Sequence, residues 1–348
     1  MNKRMVLVVS LVFALVVINM GSVFAANLQI DGAGASFPYP IYSKWFDEYR
    51  KIDPSVQINY QSIGSGGGIR QISAKTVDFG ATDAPMTDEA LAALDRELIH
   101  IPTVIGSVAV VYNIPGVPSG LKLTGDIVAD IYLGTITKWN DVRITEINPG
   151  VNLPDLAIAA ARRSDGSGTT FTFSDYLSNI STVWKETVGT GSALRWPVGL
   201  GARGNEGVAG LVRQLPGAIG YVEQAYAEQN NLSQVALKNK AGYYVMPSLV
   251  GASLAAAGVE MPDDYRVSIV NADGPDAYPI ATFTWLLVYK NAFDQAKGQK
   301  LADFIWWAIH EGDSFAIELH YSPLPEAVIS KLQGTLKQLN FNGNTFLK

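Results

Sequence analysis

The sequence predicts an α/β fold, and three observations carry that prediction. Short apolar strand patterns alternate with helical patterns along most of the chain. Two extended apolar segments, 101–112 and 279–289, stand far apart in sequence. Between them, in the second half, lies a polar and uneven stretch at about 230–276. A two-lobed protein whose chain crosses twice between lobes has this organisation. A single large α/β domain fits it as well.

The elements follow in order. Lys3 and Arg4 precede an apolar run over 5–18 broken only by Ser10, too short for a membrane span of about 20 residues. Small residues follow, and Val23-Phe24-Ala25 fits the small-x-small cleavage rule. Residues 1–25 therefore read as a secretory signal peptide cut after Ala25. Ile41, Tyr42, Trp45, Phe46 and Tyr49 keep helical spacing, and 57–63 alternates as a strand. The apolar run 156–161 leads into a helix through Phe173 and Leu177. Leu301, Phe304, Ile305, Ala308 and Ile309 mark another amphipathic helix. There is no internal repeat and no low-complexity linker.

Composition narrows the function. The 348 residues are 48% hydrophobic and 17% charged, which suits a globular chain with a large core. Losing residues 1–25 leaves 24 basic against 32 acidic residues, a charge of −8. An acidic chain without a basic run makes a poor nucleic-acid binder. With no cysteine there is no disulfide, thiol nucleophile, Cys-ligated zinc or lipidated N-terminal Cys. His100, His310 and His320 match no metal spacing. No cofactor or metal is expected. The expected location is the periplasm.

One local pattern appears three times: a strand runs into Gly and Ser, and a helix then begins. The runs are Gly32-Ala33-Gly34-Ala35-Ser36-Phe37-Pro38, Gly64-Ser65-Gly66-Gly67-Gly68 and Arg163-Ser164-Asp165-Gly166-Ser167-Gly168-Thr169. Glycine lets backbone N–H groups approach a ligand, and the first helical turn has unpaired donors. Each loop is suited to an oxyanion. Arg163 adds a fork of donors that Asp165 can hold in place.

Competing motifs are weaker. Gly199-Leu200-Gly201-Ala202-Arg203-Gly204 matches GxGxxG, with Glu223 about 20 residues on. Trp196 and Pro197 stand where an apolar strand should precede it, so it reads as a loop capping a helix from about Glu206 to Leu215. No Walker lysine follows any Gly run, and there is no GxSxG elbow. A Ser–His–Asp hydrolase stays open as an alternative.

At these loops the chain resembles the periplasmic phosphate-binding proteins of ABC-type phosphate importers. The matching stretches are GAGASFP from Gly32, IGSGGGIRQI from Ile63, DFGATDAP from Asp78, PTVIG from Pro102 and DIYLGTITKWND from Asp130. They continue with RRSDGSGTTF from Arg162, WPVGLGARGNEGV from Trp196 and LPGAIGYVE from Leu215. The resemblance implies a two-lobed periplasmic binding protein (Venus-flytrap, type II-like) with two crossings, near 105–109 and 276–280. The implied division is a signal peptide at 1–25, lobe I from 26–107 plus 278–348, and lobe II from 108–277.

By the same resemblance, Ser36 gives hydroxyl and backbone contacts to phosphate, Phe37 a backbone N–H, and Ser65 a donor. Asp83 faces the ligand as an acceptor for its proton. Arg163 donates its fork, oriented by Asp165, and Ser167, Gly168 and Thr169 donate from the third helix start. The implied partners are inorganic phosphate and the permease subunits of an inner-membrane ABC importer, with the protein a monomer and not an enzyme. An exported hydrolase of phosphate esters is the alternative. The family usually has Thr at Ser36 and Gly-Lys at Ala202-Arg203.

Overall fold

The computed structural model describes residues 27–348. The expected signal peptide and its cleavage site lie outside the described residues.

The strands are β1 (Leu28–Gly34), β2 (Val56–Ser62), β3 (Phe79–Thr82), β4 (Leu98–Tyr112), β5 (Lys122–Leu123), β6 (Ala159–Arg163), β7 (Leu200–Ala202), β8 (Ala218–Glu223), β9 (Ser233–Gln234), β10 (Ala236–Lys238), β11 (Tyr244–Val245), β12 (Ala281–Tyr289), β13 (Asn340–Phe341) and β14 (Asn344–Thr345). The main sheet runs β2-β1-β3-β12-β4-β8-β6-β7, with β9 also on β4. β1 pairs in parallel with β2 and β3, and β6 pairs in parallel with β7 and β8. β12 and β4 run antiparallel between these two groups.

β4 holds the two parallel groups together. Its residues up to Ser107 pair with β12, and from Val108 onward they pair with β8. All but one of its 15 residues are buried, which suits a strand covered on both faces. The partner change between Ser107 and Val108 divides the sheet into a first half (β2, β1, β3, β12) and a second half (β8, β6, β7).

The helices cover these halves with apolar faces. Helix Tyr39–Ile52 buries Ile41, Tyr42, Trp45 and Tyr49 against the first half. Helix Gln295–His310 packs beside it through Phe304, whose ring lies 5.3 Å from that of Tyr49. In the second half, Phe173 of helix Gly168–Ile180 stacks on Tyr221 with ring centroids 4.1 Å apart. Trp45, Trp139, Trp184 and Trp285 are fully buried, so these tryptophans build core.

The uneven stretch near 230–276 contains β9, β10, β11 and helix Leu249–Ala257. β10 pairs with β5 and β11 in a small separate sheet. Its far end leans on the first half. Lys331 donates to Met261 O, Trp285 Nε1 to Tyr265 O, and Arg266 to Met86 O. Two residues on, Ser268 donates to Asp175 in the second half, so this segment reaches across between the halves.

Candidate functional site

The parallel strands of both halves end toward one cleft, where open α/β sheets place ligands. β1 ends into Ala35-Ser36-Phe37, β2 into Ile63-Gly64-Ser65 and β3 into Asp83. From the other side, β6 ends into Ser164–Ser167 and β7 into Arg203-Gly204-Asn205. Four of these loops lead directly into helices, Tyr39–Ile52, Ser65–Ser73, Gly168–Ile180 and Gly204–Gln214. The N-terminal turns of these helices therefore meet, several of their N–H groups bonding across to a neighbouring loop.

The sequence-predicted residues meet here. Ser36, Phe37, Ser65, Asp83, Arg163, Ser167, Gly168 and Thr169 are all buried, and Asp165 is partly so. Ser65 Oγ accepts from the N–H of Gly168 at 3.0 Å and of Asp83 at 3.2 Å, so the second and third loops touch. The N–H of Gly66 donates to Gly166 O at 2.9 Å. This approach requires glycine. A Cβ at Gly168 would lie 2.4 Å from Asp83 Oδ2, and one at Gly64, where φ is +83°, would lie 2.3 Å from Asp165 Oδ2. Ser167 turns its hydroxyl to the N–H of Thr170 at 3.0 Å, so its side chain caps the helix.

Arg163 and Asp165 form a two-pronged pair, Nε to Oδ1 at 2.8 Å and Nη2 to Oδ2 at 2.5 Å. Nη1 reaches Thr169 Oγ1 at 3.3 Å. Burial would lower the Arg163 pKa, but the paired carboxylate outweighs it and keeps the guanidinium charged. Burial would likewise raise the Asp165 pKa, but the Arg163 fork holds it below the usual range. The N–H of Gly204 adds a bond to Asp165 Oδ1 at 3.2 Å. The result is a positive fork fixed in direction and partly neutralised behind.

Asp83 is the opposite case. Burial pushes its pKa up to about 7, against the pull of Arg163 and a hydroxyl bond from Thr284 at 3.1 Å. A carboxyl in this state can give or take a proton near neutrality. Among mostly donor groups it is the acceptor.

Four residues outside the motif-based set also tie the halves. Asn205 donates to Ser36 Oγ from its backbone N at 3.1 Å and from Nδ2 at 2.9 Å. Tyr226 OH donates to Ser36 O at 2.6 Å. Tyr321 OH lies 2.6 Å from Phe37 O and 2.9 Å from Glu223 Oε2. Burial holds the Glu223 carboxyl well above the usual range. Asn205 sat inside a matched stretch, and its place at a helix start after glycine was the available signal. Glu223 ended another matched stretch, but Tyr226 and Tyr321 had no local signal, because their partners in these bonds are 98 to 284 residues away.

The rival motifs take other roles. β7 lies inside the GxGxxG stretch, where a dinucleotide site would have its strand before it. Glu223 accepts from the N–H of Ala225 and caps a helix start. No histidine among the described residues hydrogen-bonds to a hydroxyl of the three loops. His100 Nε2 accepts from the N–H of Met86, and burial pushes its pKa down to about 4. A hollow of about 420 Å³ lies elsewhere, lined by Asp78, Tyr289, Phe293 and Lys297, with none of the three Gly-Ser loops in its lining.

Residues 25–311 match the PBP superfamily domain. The chain belongs to this superfamily. It is 48% identical over 322 residues to the phosphate-binding protein PstS of Pasteurella multocida, covering 91% of this chain and 93% of that one. It is 46% identical over 310 residues to the protein of the same name from Xylella fastidiosa strain 9a5c, covering 88% and 84%. These similarities place it in the PstS family. A solved phosphate-binding protein from Stenotrophomonas maltophilia shares the fold at a TM-score of 0.65 and 18% identity, over 88% of this chain and 93% of that one. The mixed α/β fold with its curled sheet is thus that of the two-lobed PBP superfamily proteins.

Proposed function

We propose that this chain binds inorganic phosphate between two lobes and delivers it to an ABC-type membrane permease for import. The observation that carries this reading is the buried Asp83 carboxyl, set beside the Ser65 hydroxyl and the helix start at Gly168. Phosphate at neutral pH has oxygens for the donors and a proton for the carboxylate. Sulfate has no proton to offer, so the ionised form of Asp83 would oppose it with an unpaired acceptor. The relatives' name as phosphate-binding proteins supports the same ligand.

The ligand set is Ser36, Phe37, Ser65, Asp83, Arg163, Asp165, Ser167, Gly168 and Thr169. The charge-bearing donor is Arg163, with Asp165 as its support. Lobe I comprises 26–107 plus 278–348 and lobe II 108–277, a division supported by the partner change of β4 at Ser107 and Val108. The closed arrangement, recognised by the permease, follows hinge motion about the two crossings. The protein acts as a monomer in the periplasm after cleavage following Ala25.

Calorimetric titration of the mature chain, stripped of bound ligand, tests the reading. Phosphate should bind tightly with sulfate far weaker, and equal affinities for the two would refute it. Intact mass of the exported protein should correspond to a chain beginning at Ala26. A retained leader or an attached lipid would overturn the localisation.

A further inference from the structure

We infer that Asn205 is a positioning residue that sets the direction of the Ser36 and Thr169 hydroxyl protons, making both hydroxyls obligate donors to the bound anion. The inference rests on the phosphate reading above and extends it to a residue outside the ligand set.

Asn205 opens helix Gly204–Gln214 and is fully buried. Its Oδ1 accepts from the backbone N–H of Glu223 at 2.9 Å. A backbone N–H can only donate, so this bond fixes which way the amide is turned. Nδ2 must then face the hydroxyls, with Ser36 Oγ at 2.9 Å and Thr169 Oγ1 at 3.2 Å. Both amide protons and the amide oxygen are used.

A hydroxyl oxygen has two acceptor positions and one proton. Ser36 Oγ receives the Asn205 backbone N–H and the Asn205 amide, which fills both positions. Thr169 Oγ1 receives the same amide and Arg163 Nη1 at 3.3 Å, which also fills both. Neither hydroxyl donates to a protein acceptor among the described residues. The remaining direction for each proton is toward the ligand. Ser65 also accepts two N–H bonds, but the Asp83 carboxyl beside it offers its proton another acceptor. The inference is therefore restricted to Ser36 and Thr169, which come from opposite halves of the sheet.

One consequence concerns ligand orientation. A phosphate oxygen that bears a proton is disfavoured at both hydroxyls, because proton would face proton. The protonated oxygen is left to Asp83.

The test compares the effect of Asn205→Ala in two backgrounds by calorimetric titration with inorganic phosphate. In the parent, Asn205→Ala should weaken binding about tenfold, since the hydroxyls regain freedom to turn away. In a chain lacking both hydroxyls, Ser36→Ala with Thr169→Val, the same change should weaken binding less than about twofold. An equal loss in both backgrounds would overturn the inference, because Asn205 would then act on the fold alone. Thermal melting of each ligand-free chain reports the fold separately. If Asn205→Ala folds poorly, Asn205→Asp keeps the shape and the bond from Glu223, and it too must lose less in the second background. A parent without phosphate affinity would instead overturn the functional reading and this inference with it.

Discussion

On the side of β1, β2 and β3, the cleft receives Ser36, Ser65 and Asp83, two hydroxyls and a carboxyl. On the side of β6 and β7 it receives the Arg163 fork, the helix start at Gly168 and the amide of Asn205. Of the sequence-predicted residues, those in the first half include no cation and one group that repels anions when ionised. The second half brings the fixed positive charge. The difference teaches that attraction and discrimination can be separated in space. In the proposed reading, the half with Arg163 supplies the pull, and the half with Asp83 decides which anion is accepted. Net charge does not decide this reading, since a chain of −6 can hold an anion through local dipoles and one oriented fork.

Removing the fork should have the largest effect and breaks the comparison if it does not. Arg163→Ala should weaken phosphate binding by about a hundredfold or more, as for a buried hydrogen-bonded charge pair losing one partner. Arg163→Lys should recover only part of this, because a point charge cannot make a two-pronged contact. Titration of both variants decides it, and unchanged affinity in Arg163→Ala would mean that the second half does not supply the attraction.

Asp83→Asn sharpens the other side. The amide removes the negative charge and offers donors to a fully ionised ligand. The phosphate-to-sulfate preference should fall by at least about tenfold, roughly 1.4 kcal/mol. Phosphate affinity should change less, because the amide oxygen still accepts the ligand proton. A variant that rejects sulfate as firmly as the parent would move discrimination away from the first half.

A separate readout is stability. Asp83 has a folded pKa of about 7 against an ordinary 3.8. Between those values the folded chain holds a proton that the unfolded chain has released. Stability therefore falls as pH rises through that window, by at most about 1.4 kcal/mol per pH unit. Melting of the ligand-free parent should decline relative to Asp83→Asn from about pH 4 to about pH 7. Parallel melting curves for the two chains would mean that Asp83 is not held protonated.

Much of this site was legible locally. Gly and Ser at strand ends announce helix starts, and they do so within a few residues, because backbone freedom and capping are short-range properties. Helix Gly168–Ile180 begins one residue after Ser167, where the third Gly-Ser run placed it. The amphipathic spacing of Ile41, Tyr42, Trp45 and Tyr49 gave the buried face of helix Tyr39–Ile52 for the same reason. The short strands β9, β10 and β11 were not legible, since two or three residues carry no period to detect.

By itself, the sequence determined the α/β class, the three glycine-rich helix starts, and Arg163 with Asp165 as a ready-made fork. Those features depend on residues close together along the chain. The tertiary structure decided that Ser65 meets Gly168 across 103 positions and that Asn205 meets Ser36 across 169. It also decided that Asp83 is buried enough to hold its proton to near neutrality. Burial and proton direction depend on what packs against a group from elsewhere in the fold, and local sequence does not record that packing.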